Sequence, residues 1–227
     1  MINITGDIHG LTNFQKMGDP SLRKMSSGDF LIICGDLGAV FDQEKTEYMV
    51  NIYSYMPFTI LFVDGNHENF DILEQYPEEK WNGGVIHRIS ENLIHLMRGQ
   101  VFTVSEKKIF TFGGGLSYDK DRRVPHLSWW PQELPNESEM KEAKKNLQEN
   151  EYVVDYVVTH DCPTHLLKEV SKYSDKMKSY GIRKTELNDF LDDISDRLIF
   201  KEWFFGHYHT DRTFGNYTCV FNEILRI

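Results

Sequence analysis

The chain has 227 residues, 40% of them hydrophobic and 26% charged, a composition of an ordinary folded protein able to bury a core without disulfides. Twenty-five Lys and Arg against thirty-five Asp and Glu give a formal net charge of −10, which argues against stable, sequence-independent binding to nucleic acid. Cys34, Cys162 and Cys219 lack CxxC spacing, and no apolar run approaches the length of a membrane span, so neither a disulfide framework nor a membrane protein is expected.

In chain order, Ile2–Thr5 is a short apolar piece running into Gly6-Asp7 with no signal-like segment before it; a cytoplasmic location is expected. Phe30–Cys34 and Phe58–Val63 are continuous apolar runs, the mark of strands covered on both faces. Between them Gln43–Tyr55 predicts a helix with Tyr48, Ile52 and Tyr55 on one face, stopped by Pro57. Val85–Ile89, Leu93–Met97, Val101–Val104 and Lys108–Phe112 read as mostly antiparallel strands, the last ending at Gly113-Gly114-Gly115. Ser117–Asn136 is expected to be an ordered excursion, because the adjacent Trp129 and Trp130 would not stay in water. A helix capped by Asn136 or Ser138 runs to about Glu149, with Met140, Ala143, Lys144 and Leu147 sharing a face. Val153–Thr159 reads as a strand, Glu186–Leu198 as a helix, and Trp203–Phe205 and Thr218–Ile227 as strands. No repeat or linker interrupts the pattern, so residues 1–227 are expected to form one α/β domain.

Five of these strands end alike, in Gly or Thr followed by a metal-type ligand. The endings are Gly6-Asp7-Ile8-His9-Gly10, Gly35-Asp36, Gly65-Asn66-His67-Glu68, Thr159-His160 and Gly206-His207-Tyr208-His209. Functional groups in an open α/β sheet gather beyond the carboxyl ends of its strands, so these loops predict one shared site. Carboxylate, amide and imidazole together suit borderline divalent metals, with manganese favoured over iron, cobalt, nickel and zinc. The absence of cysteine argues against a structural zinc site.

The ordered series GD-x-HG, GD, GNHE, a lone His and GH-x-H resembles the calcineurin-like metallophosphoesterase superfamily, and spans most of the chain. The resemblance implies a four-layer α-β-β-α sandwich with mixed sheets and two divalent metal ions at its edge. Asp7, His9 and His209 would hold one ion, Asn66, His160 and His207 the other, and Asp36 would bridge them. His67, outside the metal ligands, would protonate the leaving group of a phosphate ester. Two such ions, about 3.5–4 Å apart, acidify a shared water and clamp the attacking and leaving oxygens. One departure is informative: phosphoprotein phosphatases continue the second motif to an Asp-Arg pair, where this chain has Ala39 and Val40. A Ser/Thr protein phosphatase is therefore the second reading, behind an enzyme acting on a small phosphorylated substrate. A silent scaffold is disfavoured by the complete ligand set, and a nuclease by the acidic charge.

With Val40 unable to grip phosphate, Arg123, or failing it Arg122, is expected to contact the substrate from the loop after the triple glycine. His87, His95, His126 and His165 match no motif and are expected to be structural, with His126 the one that could approach a substrate. Asp64 is expected to be a turn residue, Glu68 a helix cap or functional, Cys162 a packing residue, and Lys141–Lys145 with Asp192-Asp193 solvated helix faces. Trp129 and Trp130 are expected to anchor their segment.

Overall fold

A computed structural model describes residues 1–227 and arranges thirteen strands in two sheets. In chain order the strands of the first sheet are β1 (Ile2–Thr5), β2 (Phe30–Ile33), β3 (Thr59–Phe62), β4 (Glu78–Trp81), β5 (Gly84–Arg88) and β6 (Leu93–Leu96). The second sheet holds β7 (Gln100–Val104), β8 (Lys107–Phe112), β9 (Tyr156–Thr159), β10 (Glu202–Phe205), β11 (Arg212–Phe214) and β12 (Tyr217–Cys219), after which β13 (Leu225–Arg226) returns to the first. The orders are β13-β1-β2-β3-β6-β5-β4 and β11-β12-β10-β9-β8-β7. The helices are α1 (Gln43–Ser54), α2 (Phe70–Leu73), α3 (Glu137–Glu149), α4 (Leu167–Val170), α5 (Asp175–Tyr180) and α6 (Glu186–Ser195). No helix is long and apolar enough to cross a membrane.

Three apolar clusters define four layers. One lies between the sheets, where Ile4, Ile32, Leu61 and Ile94 meet Phe102, Ile109, Val158 and Phe204. A second packs the outer face of the first sheet, through Leu31, Ile33 and Ile60, under Met49 and Tyr53 of α1. The third packs Phe110, Phe112 and Phe205 of the second sheet under Ala143 and Leu147 of α3 and Leu191 and Ile194 of α6. Central strands covered on both faces are uniformly apolar, which is why β2 and β3 carry no polar alternation.

The expected mixed sheets are present, with differences in detail. β5 pairs antiparallel with β6, and β7 with β8, but β6 runs parallel to β3 and β8 parallel to β9. A run of short strands shows its hairpins in sequence; its remote parallel partners are chosen by the sheets it joins. The expected strand Thr218–Ile227 is two strands in different sheets. Asp211 splits it, accepting hydrogen bonds from the backbone N–H of Phe221, Asn222 and Glu223 and turning the chain across the sandwich. On α1 the buried residues are Thr46, Met49 and Tyr53, while Tyr48 and Tyr55 are exposed. Both stripes have helical spacing, and the sheet takes the one that carries Met49 and Tyr53. Asn136, and not Ser138, caps α3, in a reciprocal capping box with Glu139.

Candidate metal centre

β1, β2 and β3 run parallel in one sheet, β9 and β10 parallel in the other, and all five end at the same edge. The turns that follow are tight. His9, Asp36, His207 and His209 all take positive φ, between 50° and 67°, a conformation non-glycine residues adopt only where their surroundings impose it. Two glycines make the approach possible: a Cβ on Gly35 would overlap the His160 imidazole, and one on Gly65 the Asp36 carboxylate.

All seven predicted ligands converge. His9 Nε2 and His209 Nε2 are 3.0 Å apart, and Asp7 Oδ2 lies 3.0 Å from His209 Nε2 and 3.8 Å from His9 Nε2. Beside them, His160 Nε2 is 3.2 Å from both Asn66 Oδ1 and His207 Nδ1, and 3.6 Å from Asp36 Oδ2. Asp36 Oδ2 is also 3.8 Å from His9 Nε2, which places this carboxylate between the two groups. Donor atoms held about 2.1 Å from a common cation stand roughly 3.0–3.4 Å apart, close to these spacings.

Asp7 Oδ2 and Asp36 Oδ2 are buried and take no hydrogen bond. Proximity alone brings His209 to Asp7 Oδ2 without the alignment of a hydrogen bond, and an orphaned carboxylate oxygen in a dry site is costly. Burial opposes the charge on both groups, but neighbouring imidazoles outweigh it, His209 and His160 at Asp7 and His160 and His67 at Asp36, and hold both well below the usual carboxylate range. Burial, with the charge of Lys176, lowers the His207 pKa well below its usual value, whereas burial at His160 is outweighed by Asp36 and Asp7, which raise it. The donor set fits divalent cations.

Neighbouring contacts aim these atoms. His160 Nδ1 donates to the Cys34 carbonyl at 2.7 Å, which turns Nε2 toward the cluster. Asn66 donates its amide N–H to Ser117 Oγ at 3.1 Å, so its carbonyl oxygen faces His160. The other oxygen of each carboxylate is fixed by backbone, Asp7 Oδ1 by His207 N and Asp36 Oδ1 by His67 N. Glu68 is neither a cap nor a ligand. It is fully buried, accepts from Leu37 N and Gly65 N, and ties the second and third ligand loops together, while Asn69 caps α2. Burial and the adjacent Asp36 charge push its carboxyl up to about 8.

His67 lies at the rim, its Nε2 4.0 Å from Asp36 Oδ2 and its Nδ1 3.2 Å from Arg123 Nη1. Arg123 also donates to Asp119 and to the Ser128 carbonyl, so its guanidinium is directed at the site. Arg122 is exposed and makes no side-chain hydrogen bond. Asp64, expected to be a turn residue, is a buried ion-pair partner of Arg98 and His95. His87 bonds to His95, His126 to Asp71, and His165 to Asp192. Trp130 is buried with its N–H on Asp71, and Cys162 is buried beside the Tyr208 hydroxyl. A cleft of about 780 Å³ lies behind Asp64 around Arg98 and Glu139, away from the cluster.

A family model for calcineurin-like phosphoesterases matches residues 1–211. The chain belongs to this family. The calcineurin-like phosphoesterase fold is shared with the crystal structure of phosphopantetheinyl hydrolase from Mycobacterium tuberculosis, at 14% identity and a TM-score of 0.50, over 97% of this chain and 87% of that one. No curated protein matches the sequence. Membership makes the protein a hydrolytic phosphoesterase of a class that works with divalent metals.

Several residues of this calcineurin-like phosphoesterase site carry no motif. Lys16, buried, donates to the Asp7 carbonyl at 2.6 Å and sits 4.5 Å from the Phe221 ring centroid. Phe221 stacks on His209 with centroids 4.5 Å apart and planes at 7°. Tyr118 stacks on His207 at 5.8 Å. A lysine in a 3-10 turn and an aromatic near the C-terminus give no signal of proximity, so only the odd burial of Lys16 marks it.

Proposed function

We propose that the protein hydrolyses a small phosphate ester using two divalent cations, one held by Asp7, His9 and His209, one by Asn66, His160 and His207, with Asp36 shared. Bound there, the cations would acidify an attacking water and neutralise charge on the phosphoryl oxygens. The observation that carries the reading is the pair of buried carboxylate oxygens on Asp7 and Asp36, free of hydrogen bonds and ringed by imidazole nitrogens.

The chain's own groups supply the rest. His67, whose Nδ1 accepts from Arg123, presents its Nε2 proton toward the site and is placed to serve the departing oxygen. Arg123, half-exposed at the rim, has a second guanidinium nitrogen with no partner and is placed to contact the phosphoryl group. A groove of about 450 Å³ opens beside His9 and His67, lined by Leu11, Phe41, Tyr48 and Met49, and offers the alcohol portion of the ester an apolar bed. The Ser/Thr phosphatase reading is weakened by Ala39 and Val40, which are buried in the core under α1 and leave that loop without its phosphate grip.

Metal analysis of reconstituted protein tests this. Two equivalents per chain are expected, falling to one or fewer in Asp36→Asn with loss of turnover. A wild-type protein holding at most one equivalent, unchanged by the substitution, overturns the proposal. A panel of mono- and diesters assayed with Mn, Fe, Co, Ni and Zn then assigns substrate and metal.

A further inference from the structure

Two cations at the mouth of the site have no anion to answer them. Lys176 is on α5 and Arg183 just beyond its end; both are half-buried. Neighbouring lysines are paired, Lys172 with Glu169, Lys178 with Asp175 and Lys184 with Asp189, but Lys176 and Arg183 have no carboxylate oxygen within 4.0 Å. Both lie over one ring, Lys176 Nζ 5.6 Å and Arg183 Cζ 5.9 Å from the centroid of Tyr118. Tyr118 is itself buried and stacked on the ligand His207.

The pair therefore stands one aromatic ring from the metal-type cluster. Cations facing bound divalent metals repel them unless an anion lies between. Arg123 spends two of its three guanidinium nitrogens on Asp119, Ser128 and His67, whereas Lys176 and Arg183 make no side-chain hydrogen bond or ion pair. In a chain of net charge −10, two unanswered cations at this rim are not a solvated face.

We propose that Lys176 and Arg183 form an anion-binding subsite for a phosphoryl group of the substrate. This rests on the phosphoesterase reading above. The group is either the scissile phosphoryl or a second phosphate on the same molecule.

The test uses metal-loaded full-length protein and two ligands that are not hydrolysed, inorganic phosphate and a benzene bisphosphonate, titrated by calorimetry. Lys176→Ala/Arg183→Ala is expected to weaken binding by about tenfold or more, the loss of one or more charged hydrogen bonds. Metal content and thermal midpoint should be unchanged, and Lys176→Arg should retain most of the affinity. Weakening with both ligands assigns the subsite to the scissile phosphoryl; weakening with the bisphosphonate alone assigns it to a second phosphate. Unchanged affinity for both overturns the proposal. Since the readout is binding, an enzyme that hydrolyses no ester would defeat the phosphoesterase reading without deciding this one.

Discussion

At the scale of single residues, His67 is defined by what stands on each side of its ring. Arg123 donates to Nδ1, so the proton resides on Nε2, facing Asp36. Burial lowers its pKa to about 4, with the charges of His9, Lys176 and Arg123 adding to the effect against the pull of Asp36. The imidazolium needed to protonate a leaving group therefore forms only when the anionic phosphoryl group of a bound ester raises that pKa again. A glutamine at this position keeps an N–H donor but cannot pass on a proton. For an alkyl phosphate, whose leaving oxygen needs the proton, His67→Gln is expected to cost about a hundredfold to ten-thousandfold in kcat. For an activated aryl phosphate the loss should be much smaller, and metal content should be retained. Equal losses for both esters would show that His67 does not protonate the leaving group. The convergence of Asp7, His9, Asp36, Asn66, His160, His207 and His209 was legible only jointly, from five short strand endings in a fixed order along the chain. Lys176, Arg183 and Lys16 were not, because a cation advertises its role only through the partners it lacks or keeps.

At the scale of elements, the strand ends were legible and their anchoring was not. The end of β3 is held by Asp64, which takes Arg98 Nε at 2.9 Å, while Arg98 Nη1 reaches Glu139 in the first turn of α3 and Nη2 the Gln132 carbonyl. Arg98 thus links the end of β3, the Trp-containing excursion and α3. Removing one partner of a buried pair leaves the other charged and unpaired, so Arg98→Met is expected to cost about 3–5 kcal/mol in urea unfolding. A loss below about 1 kcal/mol would mean that Asp64 finds another partner or is not buried in solution. The same element shows why the sequence reading of Asp64 stopped at a turn: its partner is 34 residues away, with no motif between them.

At the scale of the whole molecule, the sheets are closed by apolar packing, and one polar chain crosses β5 and β6 to the end of β3. His87 on β5 bonds to His95 on β6, which reaches Asp64. Burial lowers the His87 pKa to about 4, the nearby His95 adding to the effect and Asp64 opposing it. The unfolded chain binds this proton near pH ~6.5. Stability from His87 is therefore fully present above that pH and is lost as pH falls through about 4. His87→Phe should flatten the decline of the urea midpoint between those limits by about one proton's worth of slope, whatever it does to the midpoint at neutral pH. An unchanged slope would show that His87 is solvated.

What the sequence determined by itself is the family and the chemistry of the cluster. Both are local: an apolar run ending in glycine and a ligand is written in five to ten consecutive residues, and its order along the chain survives in one dimension. The uniform apolar runs of β2 and β3 likewise announced a covered sheet. Tertiary structure decided which stripe of α1 faces the core, which remote strands β6 and β8 accept as parallel partners, and how Asp211 divides the last strand between sheets. It also decided that Arg123 turns toward His67 while Arg122 stays in solvent, and that α5 and the segment after it leave Lys176 and Arg183 without counter-charges. These outcomes depend on distances between segments far apart in sequence, set by packing across four layers at once, and no local pattern carries that information.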